Sequence, residues 1–214
     1  MARITVLGGT GYAGGHIAAE AAARGHQVTA VSRTAPATPV EGVTHLAGDI
    51  TDPATLDAAF DGADVVVSAV APRGEMEQRL PAALDEVIAR ATAAGVRLGI
   101  IGGTGSLLVA PGGPKVYDAE WFPAEYRPES VIMGDALDAL KSTPESLDWF
   151  YVSPAGGFGA FAPGERTGTY RVGGETLLAD AEGQSYISGD DFGIAVVDEI
   201  EQAAHRRQQF TVAY

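Results

Sequence analysis

The chain has 214 residues, 46% of them hydrophobic and 20% charged, with a net charge of -14 and no cysteine. That usage suits one globular domain over 1–214, while the negative balance argues against nucleic acid or an anionic membrane surface as partner. Absent thiols exclude disulfides and thiolate chemistry, and histidines at only 16, 26, 45 and 205, widely spaced, argue against a metal site, so none is assigned.

The opening Met-Ala-Arg-Ile-Thr-Val leads directly into a strand pattern, and no apolar run approaches the roughly 18 residues of a membrane helix. The expectation is a cytoplasmic protein with neither signal peptide nor span. Strand character over Arg3 to Leu7 runs into Gly8, Gly11 and Gly14, and a small-residue run from Ala13 to Ala23 continues at helical length until Gly25. Strand, tight turn and helix is the context a dinucleotide-binding turn requires. Gly8 allows the sharp turn, Gly11 lets backbone approach a pyrophosphate, and Gly14 lets the helix lie close on the strand. The helix's free N–H groups and positive dipole end then face phosphate.

Gln27 to Ser32 alternates and is β-branched, which predicts the second strand. An NAD-binding turn usually finds Asp or Glu beyond that strand for the ribose 2′-hydroxyl, and a 2′-phosphate calls for Arg. Here the strand ends Ser32-Arg33, and the nearest downstream acid is Glu41. Arg33 can grip a phosphate through a charge-assisted contact of about 1.5–3 kcal/mol, which favours NADP(H) over NAD(H); the alternative is a solvated surface Arg.

Ala35 to Gly42 reads as a loop and Val43 to Leu46 as a short third strand. Asp52 is a natural N-cap with Pro53 at the first helical position, so a helix is expected from Pro53 to Phe60. Asp49 and Ile50 sit on the turn before it. Asp49 could accept from an adenine amino group and Ile50 could cover the ring, or both could be plain turn residues. Ala63 to Val70 is a near-continuous apolar run, as in a central parallel strand, and its end at Ser68-Ala69 is expected to pass beneath the cofactor.

Leu80, Leu84, Val87, Ile88 and Ala91 form a helical stripe with Pro81 near its start, ended by Gly95. Arg97 to Ile101 is the fifth strand, followed by a second GGTG turn at Gly102-Gly103-Thr104-Gly105. Leu107 to Pro128 is rich in Pro and Gly and shows no period, so a lid or binding loop is expected over about 103–128. Its Tyr117, Trp121, Phe122 and Tyr126 could pack a planar substrate or fasten the loop to the core.

Ile132, Ala136, Leu137 and Leu140 mark the next helix and Leu147 to Val152 the sixth strand, with Ser153 to Gly157 a tight turn after it. Residues 156–187 read as a small appended region containing a hairpin of Thr167–Val172 and Glu175–Leu178. Phe192 to Ala203 is a last helix and Phe210 to Ala213 a last strand. The alternation throughout predicts an α/β fold with a doubly wound, mostly parallel sheet of about seven strands.

With GGTGYAG, a strand ending in Ser-Arg, GDITD and GGTGSLLVAPGG in place, the chain resembles the atypical short-chain dehydrogenase/reductase superfamily over essentially its whole length. The likeness is to its NmrA-like and biliverdin-reductase-B-like branches, and most of all to small bacterial proteins described as NAD(P)H-flavin reductases. The resemblance implies an NAD(P)-binding Rossmann fold with strand order 3-2-1-4-5-6-7. It also implies phosphates on Thr10, Gly11, Tyr12, Ala13 and Gly14, a 2′-phosphate on Arg33 and nicotinamide near Gly102-Gly103 and Pro154-Ala155.

One departure bears on mechanism. Ordinary short-chain dehydrogenases move a proton with Tyr and Lys at i and i+4, and none of the seven tyrosines here has Lys four residues on. Alcohol oxidation needs such a base, worth about 10²–10⁴-fold. A flavin accepting hydride asks less, because its anion is delocalised and water can supply the proton. The expected activity is therefore that of an NADPH-dependent reductase acting on FMN or FAD, bound as substrate rather than tightly, or on a quinone or bilin. Ser106 and Tyr117 are candidate proton donors or orienting groups, Ser106 having the alternative of a hydroxyl bonded to backbone. A non-catalytic NADP(H)-binding sensor resembling NmrA is the second reading, and a nucleotide-sugar epimerase or dehydratase the third. A monomer or homodimer is expected.

Overall fold

The computed structural model describes residues 1–36 and 38–214. In chain order the elements are β1 (Arg3–Leu7), α1 (Tyr12–Ala23), β2 (Gln27–Ser32), β3 (Val43–Ala47), α2 (Pro53–Phe60), β4 (Val65–Ser68), α3 (Met76–Ala94) and β5 (Arg97–Ile101). Then follow α4 (Arg127–Lys141), β6 (Trp149–Pro154), β7 (Arg171–Gly173), α5 (Gly189–Gln202) and β8 (Gln208–Ala213). The strands form one sheet in the order β3-β2-β1-β4-β5-β6-β8-β7. All pairs are parallel except β7 with β8. The order expected for seven parallel strands holds, with β8 as the seventh, and β7 is an additional antiparallel edge.

Two apolar layers enclose the sheet. Leu7, Val66, Leu98 and Trp149 meet Leu80 and Leu84 of α3 and Leu137 of α4 on one face. Ile4, Val67, Phe150 and Val152 meet Ile17 of α1 and Phe192 and Val196 of α5 on the other. Adjacent residues such as Val66 and Val67 serve opposite faces because side chains alternate across a strand. Every residue of β4 and β6 is buried for that reason, whereas the edge strand β3 is half open.

Local signals set several boundaries. The amide of Gly25 bonds the Ala22 carbonyl at 2.9 Å and that of His26 the Ala21 carbonyl at 3.1 Å, a Schellman arrangement that ends α1. The Asp52 carboxylate accepts from the Ala54 amide at 3.1 Å and opens α2. The loop expected over 35–42 includes Ala37, which lies outside the described residues.

Other expectations are corrected. Helix α3 begins at Met76, so Pro81 lies inside it and removes one helical bond; buried Met76, Leu80 and Leu84 carry the helix past that loss. The loop expected over about 103–128 contains short 3₁₀ turns at Thr104–Ser106, Val116–Asp118 and Ala124–Tyr126, and its end is drawn back because α4 takes Pro128 into its first turn. Ser153 and Pro154 belong to β6 rather than to a turn, since the strand is paired with β8 as far as Val212. The hairpin of 167–172 with 175–178 does not form. Arg171–Gly173 pairs with β8, and the backbone of Glu175 and Leu177 bonds Leu108 of the long loop at 2.7 and 2.9 Å.

Candidate nucleotide-binding site

Because β1 to β6 run parallel, their carboxyl ends share one edge, and the strand order turns about between β1 and β4. Crevices at such a reversal are where open α/β sheets bind ligands. Gly8–Gly14, Ser32-Arg33, Asp49-Ile50, Ser68-Ala69, Gly102-Gly103 and Pro154-Ala155 all lie at or just past those strand ends.

The glycine turn is built from close backbone contacts. Gly8 has φ +79°, a left-handed conformation that favours glycine, and the amides of Gly8 and Gly9 both bond the Val31 carbonyl, at 2.9 and 3.1 Å. A methyl group on Gly14 would lie 2.3 Å from the Gly8 carbonyl oxygen. Helix α1 therefore starts against the turn. Its first bond runs from the Gly15 amide to the Gly11 carbonyl at 2.8 Å, and no side chain caps it. Among the described residues, the amides of Tyr12, Ala13 and Gly14 meet no protein acceptor. These donors lie at the positive end of the helix, where anions are stabilised. Thr10 and Gly11 are exposed at the lip.

One strand over, the Gly48 amide bonds the Ser32 carbonyl at 2.9 Å and ties the ends of β2 and β3 together. This brings Arg33 and Asp49 to neighbouring positions. The Ser32 hydroxyl donates to the Thr34 carbonyl at 2.7 Å. Arg33 is exposed, with Glu75 3.9 Å away. Oδ1 of Asp49 accepts from the Thr51 amide at 2.9 Å and its hydroxyl at 2.8 Å, while Oδ2 faces Nη1 of Arg79 at 3.3 Å. Arg79 also donates to the Thr51 hydroxyl. The Thr51 amide bond, aided by its hydroxyl and by the charges of Arg79 and Arg33, outweighs burial and holds the Asp49 carboxyl below its ordinary pKa. Ile50 is buried beneath the turn. Arg79 carries no signal in the sequence, being a polar position on α3 without a motif around it.

At the crevice floor the Ala69 amide bonds the Leu7 carbonyl at 2.8 Å, and a methyl group on Gly8 would lie 2.9 Å from the Ala69 carbonyl oxygen. The Ser68 side chain is buried. Beyond it, Gly102 is held to the Val152 carbonyl at 2.9 Å, and an added Cβ at Gly103 would meet no atom within 4 Å. The Thr104 hydroxyl lies 2.9 Å from the Pro154 carbonyl oxygen and 3.0 Å from that of Ala155, joining the turns after β5 and β6.

Ser106 is only 3% exposed. Its hydroxyl lies 3.0 Å from the Gly103 carbonyl, 3.2 Å from the Ser153 hydroxyl and 3.3 Å from the donating Gln209 amide. Tyr151 beside it donates to the Met133 carbonyl at 2.9 Å, and burial pushes its phenol pKa well up. Tyr117 lies next to Gly105 and Gly134, with Nζ of Lys115 5.4 Å from its ring centroid. Trp121 and Tyr126 are exposed and Phe122 is half-buried. The Tyr12 ring, on the glycine turn, meets Phe158 edge-on at 5.2 Å between centroids.

These residues fit a dinucleotide: open amides at a helix start, backbone packed too closely for a Cβ, and a gap above Gly103. Among the described residues no cluster of three or more His, Asp or Glu side chains could hold a metal ion, and no helix is long and apolar enough to cross a membrane.

Comparison with known proteins bears on the same residues. The Bacillus subtilis (strain 168) protein YwnB, described as uncharacterized, is 35% identical over 211 residues, 98% of this chain and 97% of its own length. A Burkholderia pseudomallei crystal structure described as a "putative exported protein" has a TM-score of 0.88 and 43% identity, with all of both chains covered. One from Streptococcus pneumoniae TIGR4, described as a "putative NADH-flavin reductase", has a TM-score of 0.85 and 30% identity, covering 100% of this chain and 99% of that one. The family model described as NAD(P)H-binding matches residues 8–203, from the first glycine of the turn to the end of α5. The chain belongs to the NAD(P)H-binding family.

Proposed function

We propose that the protein is an NADPH-dependent reductase that delivers hydride to a flavin or another planar acceptor such as a quinone or bilin. The observation that carries this reading is a built nucleotide cradle on a strand edge whose chain has no Tyr with Lys four residues on. The amides of Tyr12 to Gly14 would hold the diphosphate, Gly102-Gly103 would admit the nicotinamide close to backbone, and Thr104 would keep the neighbouring Pro154-Ala155 turn in place. Bound there, the reduced nicotinamide supplies a hydride, and the acceptor takes its proton from water.

Arg33 favours the phosphorylated cofactor on energetic grounds. Its exposed approach to Glu75 at 3.9 Å is a surface pair worth about 0.2–1 kcal/mol. A charge-assisted phosphate contact is worth about 1.5–3 kcal/mol, so a 2′-phosphate displaces the carboxylate. A reductase using NADPH works where that cofactor is kept reduced, and we place this one in the cytoplasm.

Stopped-flow mixing of protein, NADPH and FMN should show NADPH oxidation above the protein-free rate. A panel of flavins, quinones and bilins giving no rate above that background would overturn the reading. The missing Tyr and Lys favour a second one, a non-catalytic sensor of NADP(H); equal affinity for NADPH and NADP+ without turnover would support it instead.

A further inference from the structure

Beside Arg33, at the edge of the crevice, Asp49 and Arg79 form a charged pair. Gly48 bonds Ser32 across the ends of β2 and β3, so the chain places Asp49 next to the Arg33 position. Asp49 is locked in orientation, one carboxylate oxygen taking both the amide and the hydroxyl of Thr51, the other facing Arg79 at 3.3 Å. Arg79 comes from α3, thirty residues further on, and donates to Thr51 as well. The carboxyl is ionised at neutral pH, the Thr51 bonds and the two guanidinium charges holding its pKa below the ordinary range. A phosphate bearing close to two negative charges would therefore reach Arg33 beside a fixed anion.

We propose that Arg79 is a positioning residue for cofactor choice: by neutralising Asp49 it keeps that carboxylate from repelling a 2′-phosphate held at Arg33. The inference rests on the NADPH reading, and it assigns to Arg79 no contact with the phosphate. Arg33 supplies the attraction, while Arg79 removes a repulsion that NADH, with a neutral 2′-hydroxyl, does not feel.

The test is a double-mutant cycle read as the ratio of NADPH to NADH affinity by calorimetry. Arg79→Gln should lower that ratio on the order of tenfold, the effect of one unbalanced charge several ångström away near a protein surface. The loss should shrink as salt is raised. Adding Asp49→Asn to Arg79→Gln should restore the ratio, and Arg79→Lys should keep it, which a merely structural role would not do. Equal weakening of both nucleotides would overturn the inference. A lowered ratio that Asp49→Asn does not restore would also overturn it, because Arg79 would then act on the phosphate directly. Should Arg79→Gln not fold, the Arg79→Lys and Asp49→Asn single variants decide: a ratio that Arg79→Lys lowers or Asp49→Asn does not raise overturns it. Failure of the NADPH reading looks different, as a native protein without NADPH preference and a ratio unmoved by Arg33→Ala.

Discussion

Gly14 rests on Gly8 so closely that a methyl group on its Cα would stand 2.3 Å from the Gly8 carbonyl oxygen. The clash is with backbone, which cannot rotate away as a side chain can. Gly14→Ala is expected to cost about 1–3 kcal/mol of stability and to displace the amides of α1 from the crevice. Gly15→Ala is the control, since its Cβ would meet only the Gly9 carbonyl at 3.9 Å. That variant should be as stable or up to about 1 kcal/mol more so, because Ala is the better helix residue. Thermal melts with and without nucleotide separate the two, and equal behaviour would show that the turn does not need the close contact.

Arg33→Ala is expected to weaken NADPH about tenfold or more while changing NADH little, the difference being one charge-assisted phosphate contact. Calorimetric titration with each nucleotide reads this directly. If both lose affinity alike, Arg33 does not select the cofactor.

Ser106 is expected to hold the second glycine turn rather than to move a proton. Its hydroxyl lies among Gly103, Ser153 and Gln209 inside the protein, so Ser106→Ala removes one hydrogen-bond partner from each of them. The expected cost is about 1–3 kcal/mol in urea unfolding, with hydride transfer within roughly threefold of the native rate. A hundredfold loss in rate at unchanged stability would instead make it a proton donor.

Asp191 is a buried carboxylate that receives the Thr167 hydroxyl at 2.7 Å, the Thr167 and Gly168 amides at 2.8 Å, and the Tyr214 hydroxyl. Burial opposes ionisation, but the bonds from Tyr214, Thr167 and Gly168 prevail and depress its pKa. A depressed folded pKa means stability that is complete above the unfolded value of about 3.9 and is lost as pH falls through the folded one. Asp191→Asn should therefore be destabilised by about 2 kcal/mol at pH 7, and the gap from the native protein should narrow below about pH 4. Urea unfolding at several pH values checks this. A gap that stays constant down to pH 3 would mean that the charge contributes nothing.

The parts legible in the sequence are those decided by near neighbours. The residues Arg3 to Ala23 read as strand, turn and helix because apolar periodicity, glycine spacing and a following Gly25 all fall within one short stretch. The ends of β2, β5 and α2 were legible for the same kind of reason, an alternating pattern or an Asp52-Pro53 cap. Other features depend on residues distant along the chain. Pairing of β7 with β8 joins Arg171 to Ala213, and the Ser106 hydroxyl meets Gln209. The Asp49 carboxylate likewise finds Arg79 on α3, beyond both α2 and β4.

By itself, then, the order of residues determined the doubly wound architecture and the glycine turn, since both follow from local conformational preference and hydrophobic alternation. Only the tertiary structure decided that Ser106 is buried, that Arg171–Gly173 forms an edge strand and that Arg79 faces Asp49. Those outcomes depend on which polar groups find partners once the sheet has closed its two faces, and no short window of sequence contains both members of such a pair.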